Sequence, residues 1–192
     1  MTHFSDPEEL ANHLMAHKGE KSIWLIGIDG KDGVGKSQLA QKLSGLLGAK
    51  LVSLDELLEK HQDRYVASLK VDELADEVRA VQGPLIIEGV CLLAALERLG
   101  VQLDELVYVK RMRHGLWVDE DICDTSKPVD QVIAKEESDL LVFLEWEASV
   151  EGKDAPTEQD AKLSPLTEEI IRYHAKYQPS RVASHIYEAK HA

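Results

Sequence analysis

The sequence predicts an α/β fold of three layers, in which a mostly parallel sheet of about five strands lies between helices. Apolar runs without alternation, such as residues 23–28 and 84–89, are typical of strands buried on both faces of a parallel sheet. Amphipathic segments with helical spacing, such as 36–47 and 71–81, alternate with these runs. The chain has 192 residues, about the length of one domain, so we expect a single domain over 1–192.

In the first half of the chain, helix and strand signals follow one another in a regular order. Ser5 and Glu8 have the spacing of a capping box, which predicts a helix that ends at Gly19. The elements predicted after it are a strand over 23–28, a helix from 36 to Gly48, a strand over 50–54, a helical turn over 55–60 and a helix over 71–81. This order is typical of βαβ units, which place strands parallel to one another.

The second half continues the alternation and ends on a strand. Its predicted elements are a strand over 84–89, a helix over 91–99, a fourth strand over 106–109, a long helix over 130–150, a loop over 157–164, a helix over 166–177 that Pro179 ends, and a strand over 185–187. No internal repeat is present, which argues against a solenoid.

The net charge of the chain argues against polyanionic binding partners. Lys and Arg total 22 against 35 Asp and Glu, which gives a net charge of −13. Nucleic acids and anionic membranes bind basic surfaces, so we expect neither as a partner. Cys91 and Cys123 have no metal-ligand spacing and form no disulfide framework, which favours a reducing, cytoplasmic location. No apolar run reaches the length of a membrane span.

One segment matches the phosphate-binding pattern G-x-x-x-x-G-K-S/T at every fixed position. Its glycines let consecutive backbone N–H groups turn towards an anion, and the following helix adds a favourable field. Lys36 is expected to contact the β- and γ-phosphates and Ser37 to coordinate Mg²⁺. The predicted nucleotide-binding residues are Gly30, Lys31, Asp32, Gly33, Val34, Gly35, Lys36, Ser37 and Gln38. The sequence therefore predicts a P-loop, with a nucleoside triphosphate and Mg²⁺ as ligands.

Other nucleotide-binding classes lack their signatures here. Residues 126–130 do not fit the Asn-Lys-x-Asp motif of GTPases, and 43–47 only partly match the signature of transporter ATPases. The third glycine of the dinucleotide fingerprint is absent. The size of the chain and the spacing of its motifs instead favour a small-molecule kinase.

Several segments together resemble the uridine kinase-like branch of the P-loop kinases. They are 26–30 with Lys36 and Ser37, then 53–55 and 85–90, and more weakly 173–179 and 183–187. The resemblance implies a P-loop NTPase fold in one kinase-like domain. It also implies phosphoryl transfer from ATP, with Mg²⁺, to a hydroxyl of a small-molecule acceptor.

The resemblance implies functional roles for two carboxylates, one as a proton acceptor and one as a metal ligand. It implies that Asp55, after a short strand, accepts the proton of the attacking hydroxyl, as phosphoryl transfer allows. The alternative is a plain helix cap. Glu88 ends an apolar strand, where an unpaired charge is costly, and the resemblance implies that it serves Mg²⁺. The alternative is a carboxylate that caps neighbouring backbone.

The segment 111–127 corresponds to the mobile lid of similar kinases. Arg111 and Arg113 follow the predicted fourth strand, and lid arginines stabilise the transferring phosphoryl group. The alternative is a solvated basic turn, with at least one arginine at the surface. The acidic residues over 119–124 are expected to form a solvated face.

The acceptor side has a weaker signal. His61, Asp63, Arg64 and Tyr65 lie between Asp55 and the next helix, where similar kinases hold the acceptor. Arg64 could pair with an anionic group of the substrate. An ordinary polar loop is the alternative.

The function predicted from these residues is ATP-dependent phosphoryl transfer to a small metabolite. Lys36, Asp55, Arg111 and Arg113 are the candidate catalytic residues, and Ser37 and Glu88 the candidate metal ligands. A nucleotide-binding regulatory or assembly protein with little kinase activity is an alternative, because the lid and acceptor regions depart from the family pattern. A phosphotransferase acting on a nucleotide or a cofactor precursor is a third.

Overall fold

The structure, a computed structural model, describes residues 1–59 and 64–190. Its strands are β1 (Thr2–Phe4), β2 (Trp24–Asp29), β3 (Lys50–Ser53), β4 (Pro84–Glu88), β5 (Glu105–Arg113), β6 (Leu116–Trp117) and β7 (His185–Lys190). Its helices are α1 (Pro7–His17), α2 (Lys36–Leu47), α3 (Val71–Ala80), α4 (Leu92–Leu99), α5 (Glu120–Cys123), α6 (Val129–Glu151), α7 (Pro165–Tyr177) and α8 (Pro179–Val182). A 3₁₀ turn spans Leu54–Leu57.

All of these strands belong to one sheet, with the order β1-β7-β5-β2-β4-β3 and with β6 paired to β5. Every pair along this path is parallel, and only β5 and β6 are antiparallel. The central strand β2 lies between β4 and β5, so Ile28 is in register with both Glu88 and Val107. The carboxyl ends of β2, β3 and β4 therefore meet at one edge, where parallel sheets bind ligands.

The strand count is higher than the predicted five. The short strands β1 and β6 contain no apolar run, so no sequence signal marked them. The fourth predicted strand, 106–109, is the first half of β5. Pairing with β7 continues β5 through Met112, since Lys110 aligns with Glu188 and Met112 with Lys190. Tertiary pairing extends this strand beyond its buried, apolar part.

Two local predictions were also inexact. The helix predicted over 55–60 is a 3₁₀ turn over Leu54–Leu57, and residue 60 lies outside the described residues. The cap of α1 is Asp6 rather than Ser5, because the Asp6 carboxylate accepts hydrogen bonds from the N–H groups of Glu8 and Glu9.

Helices cover both faces of the sheet, which gives the predicted three layers. On one face α1 and α2 pack Leu10 and Leu43 against Trp24 and Ile26 of β2. On the other, α3, α4 and α7 pack against β4 and β5, in a core that contains Leu74, Leu92, Tyr173, Leu85 and Tyr108. Because adjacent strand residues point to opposite faces, burial of both faces explains the unbroken apolar runs.

The longest helix, α6, lies at the periphery and packs mainly on α7. It has 23 residues, enough to cross a bilayer in length, but eight of them are charged. Among residues 1–59 and 64–190, no helix combines the length and the apolar character that a membrane span needs.

Candidate functional site

The phosphate loop joins the carboxyl end of β2 to the first residue of α2. Gly30, Gly33 and Gly35 have φ angles of 153°, 72° and 94°. Positive φ angles in this range favour glycine. A Cβ atom on Gly30 would also lie 2.8 Å from the carbonyl oxygen of Val109, so the backbone of β5 leaves no space for a side chain. The loop conformation thus depends on its glycines in the way the sequence predicted.

Lys36 begins α2 and is almost completely buried, with 7% of its surface exposed. Its Nζ donates a hydrogen bond to the carbonyl oxygen of Lys31, 2.8 Å away. Burial lowers the pKa of Lys36, and the nearby carboxylates of Asp29, Asp32, Glu88 and Asp55 oppose this shift. The ammonium group therefore lies inside the loop, close to several carboxylates, in a position where it could donate to a bound phosphate.

Glu88 ends β4, is 2% exposed, and faces two hydroxyl groups. Its Oε1 accepts hydrogen bonds from Ser53 Oγ at 2.6 Å and from Ser37 Oγ at 3.2 Å. Its Oε2 is buried and has no hydrogen-bond partner among the described residues. A buried carboxylate oxygen without a donor is costly unless a cation joins it. Ser37 and Glu88 are therefore a suitable oxygen pair for Mg²⁺.

Ser37 and Glu88 alone supply too few ligands to hold a metal ion. Within residues 1–59 and 64–190, no three His, Cys, Asp or Glu side chains are grouped so that they could hold a metal ion. Mg²⁺ in phosphate-transfer sites commonly has only one or two protein oxygen ligands and takes the others from phosphates and water. The predicted Mg²⁺ would consequently depend on a bound nucleotide.

Asp55 lies in the 3₁₀ turn directly after β3. Its Oδ1 accepts a hydrogen bond of 2.5 Å from the hydroxyl of Tyr65, which is itself buried. The residue that caps this turn is Ser53, and within the described part of the chain it makes no capping hydrogen bond through its side chain. The contact of Asp55 is with Tyr65 rather than with neighbouring backbone, so the plain capping role considered for Asp55 has no support, and the residue as a whole is exposed.

Asp29, which sequence analysis did not single out, lies directly before the phosphate loop. It is fully buried, and its two oxygens accept hydrogen bonds from Gly30 N at 2.7 Å and from the Tyr173 hydroxyl. Burial raises the pKa of Asp29 to about 7, although both hydrogen bonds and the charge of Lys36 lower it. Through Tyr173 this carboxyl group connects α7 to the base of the loop.

Asp119 corrects the prediction that the acidic residues over 119–124 form a solvated face. Only 2% of Asp119 is exposed. Its Oδ1 accepts hydrogen bonds from Lys31 Nζ at 2.9 Å and from Arg111 Nη2 at 2.6 Å. Two cations compensate this buried carboxylate, as burial of a charge requires. The contact joins the phosphate loop to β5, and no sequence signal distinguished Asp119 from its acidic neighbours.

The two candidate lid arginines lie on β5 itself, not in a loop after a shorter strand. Arg111 is half-buried beside Asp119, and its Nε is buried without a partner in the described part of the chain. Arg113 is exposed, in register with Leu116 at the end of the β5–β6 hairpin. The structure therefore brings Arg111 to the phosphate loop and leaves Arg113 at the surface. Residues 111–127 form this hairpin and α5, and their action as a lid stays a prediction.

A cavity of about 610 Å³ lies between the segment of Arg64 and Val66, the start of α4 and one side of α7. Tyr65, between these two lining residues in the sequence, bonds to Asp55. Tyr173, another lining residue, bonds to Asp29. His61 and Asp63, which the sequence also placed on the acceptor side, lie outside the described residues.

Comparisons with known proteins find similarity in structure only. No protein-family model matches the sequence, and no curated protein matches it. A protein described as a possible uridine kinase from Bacillus stearothermophilus superimposes with a TM-score of 0.50, over 95% of this chain and 97% of its own, at 14% identity. The chain shares the three-layer α/β fold of that protein.

A second solved structure is less similar. It is a protein described provisionally as a fructose transport system kinase from Silicibacter sp. TM1040, with a TM-score of 0.45 and 14% identity over 98% of this chain and 100% of its own. At such identities the likeness concerns the fold alone. The predicted fold class is confirmed.

This fold brings most of the predicted site residues to one edge of the sheet. Lys36, Ser37, Glu88 and Asp55 lie near one another, and Lys31 lies beside Arg111. Of the other predicted loop contacts, Val34 is buried, Gly35 is half-buried, and Asp32, Gly33 and Gln38 are exposed. Arg113 is the predicted residue that lies away from this group.

Proposed function

We propose that this protein transfers a phosphoryl group from ATP to a hydroxyl of a small metabolite, as one kinase-like domain over 1–192. The observation that carries the proposal is the convergence of three groups at the carboxyl ends of β2, β3 and β4. These groups are the buried ammonium of Lys36, the half-satisfied carboxylate of Glu88 and the carboxylate of Asp55. Phosphoryl transfer depends mainly on such positioning and charge stabilisation.

On the nucleotide side, backbone N–H groups of the loop donate to the phosphates, together with the field at the start of α2. Lys36 Nζ exchanges its bond to the Lys31 carbonyl oxygen for a phosphate oxygen. Ser37 and Glu88 would hold Mg²⁺, which supplies charge neutralisation on the phosphates when bound. Arg111 adds a further cation close to the loop.

On the acceptor side, Asp55 orients the attacking hydroxyl and accepts its proton. Tyr65 donates to Oδ1 of Asp55 and thereby fixes the carboxylate. The other oxygen would accept the proton of the acceptor hydroxyl, while the rest of the acceptor would occupy the cavity lined by Arg64 and Val66.

A regulatory or assembly protein with little kinase activity is the second candidate. Asp119 holds both Lys31 and Arg111, and Arg113 is exposed, so few cations in this arrangement are free to neutralise a transferring phosphoryl group. This candidate predicts tight ATP binding with no acceptor that increases ADP release.

The test compares Lys36→Ala with Lys42→Ala, a control at an exposed position of the same helix. We expect Lys36→Ala to abolish ATP binding measured by calorimetry, and ADP release measured in the presence of Mg²⁺ and an acceptor panel. Lys42→Ala should behave as the wild type. Unchanged ATP binding and turnover in Lys36→Ala would refute the proposed site.

A further inference from the structure

The charged residues that line the cavity of about 610 Å³, which Tyr65 connects to Asp55, indicate the chemistry of the acceptor, and this inference rests on the proposed function. Among residues 1–59 and 64–190, two carboxylates and three cations line the cavity: Glu168, Glu169, Arg64, Arg172 and Lys176. The chain as a whole has a net charge of −13, so a cationic surplus in this concave site is opposite to the general trend.

The two carboxylates of the cavity already have donors. Glu169 accepts hydrogen bonds from Tyr65 N at 2.6 Å and Val66 N at 3.2 Å, one on each oxygen. Glu168 accepts from Arg172 at 2.8 Å. Neither carboxylate is therefore left to bind a cationic or hydroxylated ligand strongly.

The three cationic side chains of the cavity differ in whether a carboxylate neutralises their charge. Arg172 pairs with Glu168 and with Asp130, and Lys176 contacts the Tyr177 hydroxyl and lies 3.5 Å from Glu97. The guanidinium of Arg64 has no carboxylate partner within residues 1–59 and 64–190. An exposed arginine is common on protein surfaces, but this one lies at the rim of a cavity.

The segment that carries Arg64 is held in place on both sides. The Arg64 carbonyl oxygen accepts hydrogen bonds from the N–H and hydroxyl of Ser68, which is buried. The two following N–H groups bond to Glu169. The next residue, Tyr65, bonds to Asp55, so the backbone that carries Arg64 is coupled to the position of the proposed base. The planar guanidinium, with its fork of N–H donors, suits a planar or tetrahedral oxyanion.

The remaining walls are apolar and aromatic. Val66, Ala94 and Pro165 line the cavity together with the rings of Tyr173 and Tyr177, whose centroids are 5.1 Å apart. A volume of about 610 Å³ lies within the usual range for small-molecule sites and exceeds the need of a compact alcohol.

From these contacts we infer that the acceptor carries an anionic group, carboxylate or phosphate, which the Arg64 guanidinium binds while the acceptor hydroxyl faces Asp55. The acceptor class is thus a hydroxylated metabolite with an acidic group and an apolar or ring-shaped body. Uncharged polyols and nucleosides are expected to be poor acceptors.

The experiment measures ADP release by the full chain with ATP and Mg²⁺ and a panel of matched acceptors. Each set contains a neutral sugar or nucleoside, its carboxylated counterpart and its phosphorylated counterpart. We expect at least one anionic member to increase ADP release about tenfold or more above its neutral counterpart. Comparison of the carboxylated with the phosphorylated member then shows which anionic group is recognised. A neutral member that is turned over equally well, or a panel in which no anionic member is active, would overturn the inference.

Variants of Arg64 give a second measurement on the active member. Arg64→Gln should raise the KM for the anionic acceptor about tenfold or more with a smaller change in kcat, and Arg64→Lys should give an intermediate KM. Arg79→Gln is the control, since Arg79 is exposed on α3 and pairs only with Asp76 among the described residues. An unchanged KM in Arg64→Gln contradicts the inference, whereas failure of the proposed function is detected independently as unchanged ATP binding in Lys36→Ala.

Discussion

The phosphate side and the acceptor side of the site are built in different ways. On the phosphate side, one continuous segment from Gly30 to Ser37 supplies the backbone and the ammonium group. On the acceptor side, three segments that are distant in sequence form the cavity: 64–66, the start of α4 and α7. The first depends on a local conformation, and the second depends on the packing of α7 against the sheet.

This difference explains which part of the site a sequence can disclose. A glycine-rich loop has fixed spacing because its backbone itself binds the anion. A cavity formed by distant segments has no spacing rule, and its chemistry depends on which side chains are already paired. Asp55 and Asp29 contact residues of the acceptor side, Tyr65 and Tyr173, whereas Asp119 joins the phosphate loop to β5, so variants at these positions test how separate the two sides are.

The largest effect is expected for Asp55→Asn. Removing the carboxylate that orients the acceptor should lower kcat roughly 100- to 10,000-fold, with ATP binding nearly unchanged, because the phosphate side remains intact. Steady-state kinetics together with calorimetric ATP titration would measure both. Glu56→Gln, an exposed position in the same turn, is the control. Equal losses of ATP binding and kcat in Asp55→Asn would mean that the two sides are not separable.

A smaller effect, on stability, is expected for Asp119→Asn. The substitution leaves Lys31 and Arg111 beside a neutral amide in a buried position, which should lower the free energy of unfolding by about 3 kcal/mol. Urea unfolding measures this change, and Asp121→Asn at an exposed neighbouring position is the control. A stability equal to that of the wild type would show that the buried carboxylate is not the link between the loop and β5.

The smallest effect, taken per pH unit, concerns the pH dependence of stability. Between about pH 4 and pH 7, the folded state keeps Asp29 protonated while the unfolded state ionises it, so Asp29 makes stability fall as pH rises. Burial lowers the pKa of His174 to about 4, so between about pH 4 and pH 6.5 the unfolded state binds the extra proton and stability rises with pH. The two contributions oppose each other over the lower part of this range.

Asp29→Asn removes only the first contribution. Its free energy of unfolding should therefore rise with pH more steeply than that of the wild type from pH 4 to 6.5, by up to about 1.4 kcal/mol per pH unit. Denaturant titrations at several pH values measure the slopes, with the exposed Asp76→Asn as the control. Parallel curves for Asp29→Asn and the wild type would contradict the assigned pKa of Asp29.

The sequence by itself determined the three layers, the order of most elements and the phosphate loop. These features follow from apolar periodicity and from glycine geometry, which act over a few neighbouring residues. The position of Lys36, Ser37 and Glu88 at one edge of the sheet was predictable for the same reason, because each lies at or next to the end of an element whose pattern is visible.

Only the tertiary structure decided the rest. Pairing with β7 extended β5 and placed Arg111 beside Asp119 but Arg113 at the surface. Packing of α7 brought Tyr173 to Asp29 and formed the cavity. In each case the partner is distant along the chain, and whether a charged side chain is solvated, compensated or available for a ligand depends on that partner rather than on its neighbours in sequence.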